Sequence, residues 1–105
     1  MSAIFIQRGA QLDYIPEADV EQGDFITFGA VVGVAERPIK AGELGAISVC
    51  GVYQADKDGS EITAGAKVYL DTDGKITATE SGNIYAGIAV EAAGAADATV
   101  KVMLK

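Results

Sequence analysis

The chain contains no histidine and a single cysteine, Cys50. That inventory decides which chemistries are open to it. Ser-His-Asp and Cys-His arrangements both need an imidazole to activate the nucleophile. A structural zinc site would have only Cys50 and carboxylates to draw on, short of the thiolates and imidazoles that such sites use. General base chemistry would rest on carboxylates or lysine. A carboxylate pair can support glycoside hydrolysis, but the acids here fall mostly in turns and loops. Neither a G-x-G-x-x-G nor a G-x-x-x-x-G-K-[ST] phosphate loop is present. The expectation is a protein that is not an enzyme, with no catalytic, cofactor-binding or metal-ligating residue and no cofactor.

Three acidic stretches invite a cation reading. Asp13, Glu17, Asp19, Glu21 and Asp24 form an acidic zone, but their spacing offers no loop of oxygens converging on one point, as calcium requires. A solvated loop accounts for them. Asp56-Lys57-Asp58-Gly59-Ser60 and Asp71-Thr72-Asp73-Gly74-Lys75 share an Asp-Gly grammar. Neither has the spacing of a calcium loop with its later Glu, and both read as hairpin turns. Lys57 sits where the exposed lysine of a biotinyl or lipoyl carrier domain would sit, at a turn. Cys50 lies in a strand-like run and reads as a small buried hydrophobe. A lone cysteine forms no internal disulfide and fits a reducing cytosol.

The 105 residues suit one domain spanning 1–105. Half of them are hydrophobic, yet there are only three Phe, four Tyr and no Trp. Such a chain fits a thin sandwich or barrel better than a bulky core with a roomy pocket. Net charge is −7, and the basic residues are scattered singly. Binding to nucleic acid through phosphates needs clustered Lys and Arg, so no nucleic-acid partner is expected. No small-molecule substrate is expected either. The apolar run at Ala3–Ile6 is too short for a signal peptide, and the longest run, Gly29–Ala35, is too short to span a membrane as a helix.

Period-two alternation runs through the chain and marks half-buried strands. Residues 3–6 form a first strand, followed by a turn at Gln7-Arg8-Gly9. Leu12–Ile15 is a second strand, stopped or set at an edge by Pro16. Asp24–Phe28 is a third. The Val-rich run Gly29–Ala35 suits a strand covered on both faces. Leu44–Tyr53 reads as the longest strand, in which Gly51 would mark a bulge. Ile84–Val90 contains Gly87, where another backbone would approach closely. Residues 98–104 form the last strand, after the small-residue loop Ala92–Asp97. No segment has caps and a 3.6-residue period; Glu91–Ala98 offers one helical turn at most. The fold class is all-β: a small antiparallel β-sandwich or barrel of seven to nine short strands, with at most a helical turn or two.

The stretch from Gly65 to Lys105 organises the rest as two consecutive hairpins. The register of the first is legible. A bare Asp73-Gly74 loop would set Leu70 against Thr77 and split the apolar residues between faces. A three-residue Thr72-Asp73-Gly74 loop, with Gly74 left-handed in a G1 bulge, pairs Asp71 with Lys75, Leu70 with Ile76 and Val68 with Ala78. All four apolar side chains then share a face, and opposite charges close the turn. Register follows the buried face, so the three-residue loop is expected.

The chain resembles the small capsid cement, or head decoration, proteins of tailed phages and prophages. The resemblance covers nearly the whole chain. It is carried by Ala64–Leu70 with its Asp-Gly turn, Thr77-Ala78-Thr79, Ser81–Val90 and Ala95–Val102. Gly23–Ile26, Val32–Ala35, Ala41-Gly42-Glu43 and Gly51-Val52-Tyr53 carry it in the first half. These are scaffold motifs of Gly and β-branched residues. The resemblance implies a virion structural protein, made in the bacterial host cytoplasm, that binds the outer face of an assembled head. It implies trimers contacting the major capsid protein. Residues 1–24, whose strand pattern is the least self-sufficient, are expected to form an extended capsid-contacting arm. Two other readings stay open at this point: another phage structural part, such as a tail or head–tail connector protein, and a small ligand-binding or carrier β domain.

Overall fold

A computed structural model of the chain describes residue 3 and residues 10–104. Nine strands run through them: β1 (Gln11–Tyr14), β2 (Phe25–Phe28), β3 (Val31–Ala35), β4 (Gly45–Ser48), β5 (Gly51–Asp56), β6 (Lys67–Leu70), β7 (Ile76–Thr77), β8 (Ile84–Ala89) and β9 (Thr99–Leu104). The described residues contain no helix. The expected strand at 3–6 and the turn at 7–9 fall on residues that, apart from Ala3, lie outside the described set.

The strands form two antiparallel sheets, ordered β1-β4-β3-β2 and β5-β9-β8-β6-β7. The second sheet curls. Lys57, just past β5, bridges Ile76 of β7 in parallel, and the Asp58 N–H donates to the Ile76 carbonyl at 3.0 Å. The first and last strands of that sheet therefore meet at one end, as in a partly closed barrel.

Strand β3 lies between two apolar clusters. Val32 and Val34 join the larger one, which holds Val68, Leu70, Ile76, Val100, Val102 and Leu104 of the five-stranded sheet. Ala35 joins Ile26 and Ile47 in the smaller one, with Leu12, Tyr14, Val20 and Val49 packed around it. Alternation sends successive side chains to opposite faces, so a strand buried on both sides must be apolar throughout. Val32 to Ala35 are buried, and the run begins at Val31 because Gly29-Ala30 is the turn back from β2. Ile47, Ile62, Ile76, Val68 and Val102 are the largest fully buried apolar side chains. Each contributes about 1.5–3 kcal/mol relative to exposure.

The β6–β7 hairpin has the register read from the sequence. Leu70 pairs with Ile76, the Asp71 N–H donates to the Lys75 carbonyl at 2.9 Å, and Gly74 has φ +79°. Two details differ. The Asp71 carboxylate accepts the backbone N–H groups of Asp73 and Lys75, each at 2.9 Å, instead of engaging the Lys75 ammonium. A local acceptor that closes the turn needs no long side chain held in place. The ladder also stops at Thr77: Ala78 is exposed, and its N–H donates to Ser60 Oγ at 3.2 Å. The second apolar pair expected there, Val68 with Ala78, is absent from the ladder because the segment after β5 takes the next hydrogen bonds of β7.

Leu44–Tyr53 is two strands. The chain leaves the four-stranded sheet at Ser48, and at Gly51, with φ +113°, it enters the other sheet. That backbone conformation disfavours any side chain, so Gly51 marks a change of sheet and not a bulge. The bulge is in β8, where Val68 pairs with Gly87 and Tyr69 with Tyr85, leaving Ala86 over. Gly87 meets its expectation: a methyl added there would press into the backbone of Met103. Asp58-Gly59 is not a hairpin turn either, because β5 pairs with β9 and the next strand, β6, pairs with β7 and β8.

Candidate functional site

No group of three or more His, Cys, Asp or Glu side chains among the described residues is placed to hold a metal ion. The acidic zone is used locally. Asp19 accepts the Ala41 N–H and Asp24 accepts the Glu21 N–H, both at 2.9 Å, so these carboxylates close loops on the surface. Cys50 is exposed, contrary to the buried reading. It falls in the break between β4 and β5, where no sheet partner covers its side chain.

Lys57 is the largest departure from the sequence reading. It is 5% exposed, and its Nζ donates to the carbonyls of Asp58, Gly94 and Asp97 at 2.8, 2.9 and 3.2 Å. An ammonium has three protons, and all three are used. Acylation by a carrier ligase needs an accessible amine, so burial removes the carrier-domain reading. What Lys57 does is tie the 93–97 loop to the end of β5. Alongside it, the Asp58 carboxylate accepts from the Ser60 N–H and hydroxyl. Hydrogen bonds from Ser60 first, and then Thr77, hold the Asp58 carboxyl below the usual carboxylate range.

A second polar knot joins the sheets. Glu36, just beyond β3, accepts from the Ser48 hydroxyl of β4, from Gln11 Nε2 of β1 at 2.9 Å, and from the Tyr53 hydroxyl of β5 at 3.4 Å. The Ser48 hydrogen bond is the main reason its pKa is lowered, followed by Gln11. Tyr69 is shifted the other way: burial raises its pKa, and the neighbouring Glu80 carboxylate adds to the rise. Sequence patterning signalled neither knot, because each gathers residues far apart in the chain. The arrangement braces the structure and holds no nucleophile against an activating base.

The surface is more informative than the interior. Phe28 and Val31, 52% and 42% exposed, are paired at the tip of the β2–β3 hairpin. At the far end of the same sheet, Ile15 and Leu44 are 59% and 67% exposed, next to the Tyr14–Gly45 pair. Val52 of β5 and Val90, just past β8, are exposed as well, at 56% and 40%, so the exposed apolar side chains are spread over both sheets. No helix among the described residues is long and apolar enough to cross a membrane.

A comparison with family models places the chain. Residues 6–104 match the model for phage cement proteins. The chain belongs to the phage cement protein family. Neither the curated proteins nor the solved structures gave a match. A cement protein is a structural component of the virion that binds the phage capsid, and its family is a structural one, not an enzymatic one. The sequence resemblance and the all-β expectation are both met.

Proposed function

We propose that this cement protein adds to the outer surface of an already assembled phage head, binds the major capsid protein there as a trimer, and strengthens the shell without transforming any small molecule. It would be made in the host cytoplasm and come to rest on the virion. The match over residues 6–104 carries this reading. The structure supports it with a two-sheet body that leaves Phe28 and Val31 exposed at one end of the four-stranded sheet, Ile15 and Leu44 at the other, and Val52 on the five-stranded sheet. A specific interface buries more than roughly 1,000 Å², which a body this small reaches only by committing a whole face or by sharing the load among copies. A net charge of −7 also keeps such a protein off the packaged genome.

Residues 1–24 remain the segment proposed to contact the shell. Within it, Gln11–Tyr14 pairs with β4, Val20 bridges Ile39, and the Gly42 N–H donates to the Pro16 carbonyl at 2.9 Å. The described part of the segment thus presents β1 as a sheet edge, with Ile15 exposed at its end. The test is to mix purified protein with undecorated heads of the parent phage and sediment them. Saturable co-sedimentation, in multiples of three per local symmetry site, is expected. Protein left in the supernatant at all concentrations contradicts the proposal.

A further inference from the structure

Two sheet edges face each other across a cleft. One side is Gly23 to Ile26, leading into β2, the last strand of the four-stranded sheet; the other is Tyr53 to Asp56 of β5, the first strand of the five-stranded sheet. Consecutive residues of β5 line the cleft, which means that strand is seen edge-on, since its side chains alternate between faces. The barrel seam closes only at Lys57 and Ile76. Among the described residues, the backbone of Tyr53–Asp56 makes no hydrogen bond beyond its pairing with β9. An open edge of this kind is a template for another strand.

The side chains around the edge select what would add there. Asp24, Asp56 and Asp73 line the cleft with Phe25 and Tyr53, and no Lys or Arg does. The only ion pair among the described residues is Lys101 with Glu91, so the carboxylates of Asp56 and Asp73 are unneutralised. Neither carboxylate accepts a hydrogen bond from a described residue, in contrast to Asp19, Asp58, Asp71 and Asp97, which all close turns or loops. Carboxylates that line a cleft without a counter-charge favour a cationic partner.

We propose that this seam receives an extended segment bearing Lys or Arg from the capsid protein, added as a β-strand along β5, with Asp56 and Asp73 meeting its cationic side chains. The inference rests on the decoration reading above and names the chemistry of its contact. Main-chain hydrogen bonds to β5 supply a sequence-tolerant grip, and the carboxylates supply orientation and discrimination.

The experiment measures binding to undecorated heads for the native chain, for D56N/D73N, and for E61Q/E91Q, which removes the same charge elsewhere. Amide exchange of residues 53–56 is followed in free and head-bound protein. D56N/D73N should weaken binding by about tenfold at low salt, and the difference should shrink at high salt; E61Q/E91Q should change it less than about twofold. Amides facing the seam should exchange more slowly on the head. Equal binding by the two variants, or unchanged exchange in 53–56, overturns the seam while leaving decoration standing. Protection already present in concentrated free protein also overturns it, since a second copy would then be the occupant. Failure of the native chain to bind overturns the decoration reading itself and this inference with it.

Discussion

Replacing Lys57 by methionine isolates one group. The apolar stem is kept, and the ammonium that holds the carbonyls of Asp58, Gly94 and Asp97 is lost. Two effects oppose each other. A buried charge carries a desolvation penalty, and removing it can be neutral when its partners leave too. Here the partners stay. They are backbone carbonyls fixed by the fold, and each loses a charge-assisted donor within 3.2 Å. Leaving such acceptors unpaired costs about 1–3 kcal/mol each. Gly94 and Asp97 lie in an exposed loop where water can replace the lost donor, so the low end of that range applies. The sum is about 3 kcal/mol. For a chain of this size that lowers the melting temperature by roughly 12–24 °C. Urea unfolding should show a lower midpoint with an unchanged slope. Lys67→Met, at an exposed position of β6, is the control and should fall within about 0.5 kcal/mol of the native chain. If Lys57→Met also lies within about 0.5 kcal/mol, the ammonium is not the tie described here.

Gly74→Ala should destabilise by about 1 kcal/mol, because φ is +79° there while the space around it is open; an unchanged urea midpoint would count against the bulged turn. The Cys50 thiol should react with a thiol reagent in native protein at close to the rate of a free thiol, since it is exposed; labelling only after unfolding would contradict its placement. Glu36 and Asp58 have folded pKa values below their unfolded ones. Their contribution is therefore fully present above the ordinary carboxylate range and disappears as pH falls through the lowered values. Stability should hold from neutral pH to about 5 and decline below it, and Glu36→Gln should flatten part of that decline. Tyr69 has the opposite sign: its raised pKa gives a contribution present below its ordinary value and lost as pH rises through the folded one, so alkaline unfolding should begin above about pH 10.

Much of the fold was legible because it is local. The Leu70–Ile76 register follows from which loop length puts Val68, Leu70 and Ile76 on one face, and the burial of β3 on both sides follows from an unbroken Val-rich run. What could not be read depends on long-range partners. Leu44–Tyr53 alternates well enough to be one strand; only the change of sheet at Gly51 divides it, and nothing local says which sheet each half joins. Lys57 sits in a sequence that looks like a solvated turn, and its burial depends on carbonyls 37 and 40 residues away. Cys50 reads as buried as long as the strand is thought continuous. The proposed capsid contacts correspond to no motif, because a strand edge and exposed apolar strand ends are made of ordinary residues. Which strands stand at the sheet edges is read only from the order of the described strands.

The central claim is that this cement protein reinforces a shell, and its most direct test is thermal rupture. Undecorated heads of the parent phage, filled with DNA, are heated with and without saturating protein, and genome release is followed with a dye that reports exposed DNA. Many copies acting together on a lattice should raise the rupture temperature clearly, in proportion to occupancy, with half the effect near half saturation. Heads that rupture at the same temperature whether bare or fully decorated would contradict the account.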